Sequence, residues 1–165
     1  NGSIISKYDK VHMFDVSLKN NEIYKESDTY KSGSKLETFT ISGYKFGHSI
    51  CYDLRFPKLF RYLAKIGSKV IVIPSAFTFN TGKSHWHTLV RARAIENGVF
   101  ILAPNQCGTN NEKRSTYGHS MVVNPWGEIV AEAEDKETII NCEIDLKEVE
   151  EIQKSIPVLK HDIDF

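Results

Sequence analysis

Cys51 closes an alternating apolar run and is followed at once by Tyr52-Asp53-Leu54-Arg55-Phe56-Pro57, where a strand gives way to a helix. A thiol there lies on the rim of a sheet, where α/β proteins place their ligands, and the backbone N–H groups of Tyr52 and its neighbours can face an oxyanion. A free thiol ionises at about pH 8.5, so a nucleophilic one needs a cation or a base beside it. Lys10, within Tyr8-Asp9-Lys10-Val11-His12-Met13-Phe14-Asp15, follows the first strand and can supply the charge. Glu26, in Tyr24-Lys25-Glu26-Ser27, adds a carboxylate. Singly, these would be a small buried hydrophobe, a surface lysine and a solvated acid. Together they offer a nucleophile, a cation and an acid.

Other candidates are weaker. His48 or His119 with Cys51 would make a Cys–His pair, but no spacing fixes their geometry. Gly118-His119-Ser120-Met121-Val122 opens like a nucleophile elbow yet lacks the closing glycine. His85 and His87 offer imidazoles two residues apart, which a helix turns to different faces, so no metal is expected. The three cysteines, Cys51, Cys107 and Cys142, are widely spaced and unpatterned, against a disulfide framework or structural zinc. Reduced thiols and the lack of a secretory signal point to the cytoplasm.

These residues need elements to position them. Ser3–Tyr8 reads as a strand, and residues 17–35, with Asn20-Asn21, as an irregular polar region. Leu36–Ile41 and Tyr44–Tyr52 alternate around a Ser42-Gly43 turn, a hairpin. Phe56–Ile66 changes to helical period, with Pro57 at the first position, Leu59, Phe60, Leu63 and Ala64 as one stripe, and Gly67 as the stop. Lys69–Pro74 and Val99–Pro104 are short buried strands. His85–Asn97 is helical, capped by Ser84 and ended by Gly98. A polar loop over 108–116 precedes a hairpin, Ser120–Val123 and Ile129–Ala133, turning at Asn124-Pro125-Trp126-Gly127. Thr138–Ile144 reads as a last strand, and Asp145-x-x-Glu148 opens a helix over Leu146–Ser155. This order indicates α/β layers with a mixed sheet.

The chain has 165 residues, 21 basic against 21 acidic, and 41% hydrophobic content, so it is one ordinary globular domain or part of one. A balanced charge with no basic run argues against nucleic acid, and no apolar stretch is long enough for a membrane span. The opening Asn1-Gly2-Ser3 resembles a hairpin turn followed only by its outgoing strand. The expectation is a single domain over 1–165 that is incomplete at its amino terminus.

Taken in order, the motifs around Lys10, Glu26-Ser27 and Cys51–Pro57 resemble the nitrilase superfamily of carbon–nitrogen hydrolases. So do Pro74-Ser75-Ala76-Phe77, Thr81-Gly82, His85-Trp86, residues 91–97 and residues 117–127. Gln106-Cys107-Gly108 and Glu112-Lys113-Arg114 look most like the branch acting on deaminated glutathione, with the ω-amidases of α-ketoglutaramate close behind. The resemblance implies part of an α-β-β-α sandwich, in the family a homodimer or larger homo-oligomer, working without cofactor or metal on a small amide. Carried over by motif, Cys51 is the nucleophile, and Lys10 stabilises the tetrahedral oxyanion with the Tyr52 N–H. Glu26 positions Lys10 and substrate. Arg55 either grips a substrate carboxylate or pairs with Asp53, and Phe77 and Thr81 line the pocket. The general-base Glu of the family precedes the lysine motif, and residues 1–9 hold no glutamate. The expected function is an amidase completed by an amino-terminal segment. The alternatives are a non-catalytic interaction module or a redox thiol at Cys51.

Overall fold

Ten strands and four α-helices are set out in a computed structural model that describes residues 2–18, 22–111 and 114–163. Asn1, Asn20, Asn21, Glu112 and Lys113, used in the readings above, lie outside those residues. The strands are β1 (Asp15–Ser17), β2 (Ile23–Lys25), β3 (Thr38–Ile41), β4 (Tyr44–His48), β5 (Val70–Val72), β6 (Phe100–Ala103), β7 (Cys107–Asn111), β8 (Arg114–Tyr117), β9 (Met121–Val123) and β10 (Ile129–Glu132). The helices are α1 (Pro57–Lys65), α2 (Phe79–Asn97), α3 (Lys147–Ser155) and α4 (Val158–His161).

Six strands form one mixed sheet in the order β10-β9-β6-β5-β4-β3, with β4, β5 and β6 parallel and the remaining pairs antiparallel. The parallel strands need crossovers, and α1 and α2 supply them. Period-two alternation divides the sheet's side chains. Ile71, Ile101, Met121 and Val123 pack with Leu59, Phe60, Leu63, Trp86 and Val90 of the helices. Val70, Phe100 and Val122 face the other way and meet Val149 of α3. Each fully buried Leu, Ile or Phe in these clusters contributes roughly 1.5–3 kcal/mol.

α1 follows its sequence signals, with Pro57 opening it and its apolar stripe buried. Gly98, at φ 58°, ends α2 in the left-handed region as expected. Four expectations need correction. Residues 3–8 form no strand, and Ile4 and Ile5 are exposed, because no described strand lies beside them to pair. Residues 138–144 are likewise irregular. The polar loop over 108–116 is a hairpin, β7 against β8. Its polar alternation suits a two-stranded ribbon with little to bury. Finally, α2 begins at Phe79, so Ser84 lies inside it and caps nothing. Gly82, inside α2, gives room: a Cβ there would lie 2.3 Å from Cβ of Tyr117.

Candidate active site

The carboxyl ends of β4, β5 and β6 all open on one side of the sheet, the usual place for a ligand crevice in α/β folds. Beyond the strands the chains stay tied together. The Cys51 N–H donates to the Pro74 carbonyl (3.0 Å), the Ser75 N–H to Pro104 (2.9 Å) and the Gln106 N–H to Ser75 (2.9 Å). Between them opens a cleft of about 1010 Å³ lined by Lys10, Glu26, Cys51, Tyr52, Arg55 and Phe77, and also by Thr81. All seven residues singled out from the sequence therefore reach one cleft.

Cys51 opens a short 3₁₀ turn, Cys51–Arg55, with φ 48°, a left-handed conformation that a side chain rarely adopts. Asp53 holds that turn. Its carboxylate is fully buried and accepts four hydrogen bonds: from the Ile50 N–H (2.9 Å), the Tyr8 hydroxyl (2.8 Å), the His12 N–H (3.1 Å) and His12 Nδ1 (2.7 Å). Tyr8 and His12 stand on either side of Lys10, so one buried acid anchors both the cysteine turn and the lysine segment. Burial and the Asp53 charge push the Tyr8 phenol far above its usual range. His12 also stacks on Phe56, with centroids 3.5 Å apart.

Lys10 Nζ forms an ion pair with Glu26 Oε2, and that oxygen also accepts from the Phe14 N–H at 2.7 Å. The Tyr52 ring packs edge-on against Phe14 and Phe56. Burial pushes the Cys51 thiol above its ordinary value, while the Ala76 backbone and the Lys10 charge pull it partly back. The direction is opposite to the lowered pKa that a redox thiol requires.

Arg55 does not pair with Asp53, whose oxygens are already occupied. Its Nη1 and Nη2 lie 3.3 Å from His85 Nδ1, and its guanidinium lies over the Phe77 ring at 5.1 Å. The Thr81 hydroxyl is hydrogen-bonded with that of Thr78 (2.7 Å). The proposed Cys–His pairs do not form: His48 packs between Tyr8 and Phe39, His119 bonds Glu132, and neither lines the cleft. Ser120 exchanges hydrogen bonds with the Asn105 backbone.

His85 and His87 point to different partners, as their spacing requires. Among the described residues, His87, His119 and Glu132 offer a metal-sized set, with ligand atoms within 4.8 Å of one another. Both imidazoles already bond Glu132 Oε1, at 2.7 and 2.8 Å, and none of the three lines the cleft. Burial pushes the Glu132 carboxyl up, but the two imidazoles outweigh it and hold it below the usual range.

Sequence reasoning missed the Tyr8–Asp53–His12 network and the presence of Arg114 and Tyr24 in the cleft. The signal for the first was there. Tyr8 and His12 stand two residues either side of Lys10, and Asp53 two residues after Cys51, so each motif carries its anchoring group beside the candidate catalytic one. Arg114 stands 63 positions after Cys51, beyond the reach of local pattern.

A family model described as "Carbon-nitrogen hydrolase" matches residues 1–154. A protein named deaminated glutathione amidase from Synechocystis sp. is 43% identical over 164 residues, which cover 98% of this chain and 60% of that protein. The chain thus spans about three fifths of that relative's length. The crystal structure of the C. elegans NitFhit protein superposes with a TM-score of 0.86 at 41% identity, covering 95% of this chain and 38% of that one. A mutant amidase from Nesterenkonia sp. matches with a TM-score of 0.66 at 26% identity over 78% of this chain and 46% of that one. It is described as showing covalent addition of an acetamide moiety at its active-site cysteine.

Two outcomes follow from the geometry. Asp53→Asn leaves buried donors facing an amide N–H₂, and urea denaturation should show a loss of about 3 kcal/mol. For Cys51, iodoacetamide labelling followed by peptide mass spectrometry should accelerate with pH through a midpoint above the ordinary thiol value of about 8.5. Lys10→Met, which removes the cation that favours thiolate, should move that midpoint higher. A midpoint below the ordinary value would contradict the burial assigned to this thiol.

Proposed function

The chain belongs to the carbon–nitrogen hydrolase family, and from that premise we propose that it forms a single domain over 1–165 and hydrolyses a small carboxylate-bearing amide through a cysteine thioester. One observation carries this reading: Cys51, Lys10 and Glu26 line the same cleft, with the lysine fixed beside the thiol by the same buried acid that shapes the cysteine turn.

Each group has a part that its chemistry permits. Cys51 Sγ attacks the amide carbonyl carbon, forming the C–S bond. Negative charge gathers on the carbonyl oxygen, where Lys10 and the Tyr52 N–H stabilise it. Glu26 holds Lys10 in place. The C–N bond then breaks, nitrogen leaves with a proton as ammonia or an amine, and water adds to the thioester to release a carboxylic acid and the thiol. Because burial keeps the Cys51 thiol protonated at rest, a base must take its proton and pass it to the leaving nitrogen. The family resemblance gives that work to a glutamate ahead of the lysine motif, and residues 1–9 hold none. A complementing amino-terminal segment that brings this glutamate is among the partners in this reading. A homo-oligomer and a cytoplasmic location belong to the same reading.

Arg55, whose fork can grip a carboxylate bidentately, holds the acyl end of the substrate against the walls formed by Phe77 and Thr81. Deaminated glutathione is the preferred substrate in this reading, with α-ketoglutaramate second, and no cofactor enters the chemistry.

The test is release of amine or ammonia from each amide. It is run with the chain alone and with the part of the Synechocystis relative outside the matched region added. Hydrolysis that favours deaminated glutathione and falls at least about 100-fold in Cys51→Ala is expected. Activity retained in Cys51→Ala would overturn the mechanism. Silence of the folded protein in every combination would leave an interaction module instead.

A further inference from the structure

Five arginines stand in the sequence, and three of them are committed. Arg61 pairs with Asp162 at 3.8 Å, Arg93 pairs with Glu96 at 2.9 Å, and Arg91 donates to the Gly127 carbonyl at 2.7 Å. Arg55 and Arg114 have no carboxylate or carbonyl acceptor among the described residues, and both line the cleft. The charged lining as a whole is Lys10, Lys25, Arg55 and Arg114 against a single acid, Glu26, which Lys10 and the Phe14 N–H already occupy. A chain of zero net charge thus gathers a cationic excess in this cleft, as suits a multiply anionic ligand.

The two arginines rest on different walls. Arg55 lies over Phe77, in the segment that leaves β5 for α2. Arg114, the first residue of β8, lies over the Tyr24 ring of β2 at 4.8 Å. Tyr24 is itself fixed: its hydroxyl donates to Glu22 at 3.0 Å, and its ring packs on Phe14, 5.1 Å between centroids. A guanidinium seated over an aromatic face can still present N–H groups to an oxyanion ligand; those of Arg114 have no carboxylate or carbonyl acceptor among the described residues, and Arg55 Nη1 and Nη2 lie near the His85 imidazole.

We propose that Arg114, seated on Tyr24, forms a second carboxylate subsite, so that the cleft selects amides bearing a carboxylate at each end. Arg55 takes the carboxylate on the acyl side and Arg114 the one on the leaving-amine side. The inference rests on the reading of this cleft as an amidase site. Deaminated glutathione fits the requirement, since its 2-oxo-acid carboxylate and its glycine carboxylate flank the amide. α-Ketoglutaramate has a carboxylate on the acyl side alone and leaves Arg114 unused.

Calorimetric titration of the turnover-blocked Cys51→Ala protein tests the subsite, with the segment described above added and each of the two amides as ligand. Adding Arg114→Met should weaken deaminated glutathione by about 10- to 100-fold and leave α-ketoglutaramate unchanged. Arg114→Lys, which keeps the charge but not the fork, should recover part of the loss. Arg55→Met should weaken both ligands. If Arg55→Met weakens both while Arg114→Met discriminates between neither, the second subsite is wrong and the amidase reading stands. Equal weakening of both ligands by Arg114→Met also overturns the subsite. If neither amide binds, the inference falls together with the function it rests on.

Discussion

A carboxylate with no exposure to water must be fully bonded or it destabilises the fold, and Asp53 meets that demand with four donors drawn from two distant segments. The Ile50 N–H closes the turn that carries Cys51 in its left-handed conformation. Tyr8 and His12 bring in residues 8–12 and deliver Lys10 to the cleft. The site is thus assembled by a group that does not line it. Gly33 reinforces the arrangement from outside: its N–H donates to the Lys10 carbonyl at 2.7 Å, and a Cβ on it would lie 2.1 Å from the Asp9 carbonyl oxygen. That backbone contact leaves no room for a side chain.

The cleft owes its position to the parallel strands. β4, β5 and β6 end together, and the hydrogen bonds that continue past them keep Cys51, Ser75 and Asn105 in line. Burial there has two opposed consequences. It holds the Cys51 thiol above its ordinary value, and it strengthens every charge that could stabilise an oxyanion. Lys10, neutralised by Glu26, can remain in such a place without the full cost of an unpaired ion.

Much of this was legible in the chain. The hydrophobic stripe of α1, the αL glycine after α2, the two buried parallel strands and the Cys51 turn each carry a local signal that the tertiary structure obeys. The failures have physical causes. Residues 3–8 and 138–144 read as strands but find no described neighbour to pair with. The reason for a glycine at position 82, the Tyr117 side chain, is supplied from 35 residues away. Arg55 stood equally between a substrate carboxylate and Asp53 until the other donors to Asp53 were visible. The pairing of Arg114 with Tyr24 crosses most of the sequence, so only the folded chain reveals it.

The central claim is a covalent bond at Cys51, and mass spectrometry of the acid-quenched protein during turnover of an amide addresses it directly. The account predicts an added mass equal to the substrate's acyl group, confined to the peptide containing Cys51 and lost on chase with fresh buffer. Amide consumed with no such adduct, or an adduct carried by Cys107 or Cys142 instead, would contradict it.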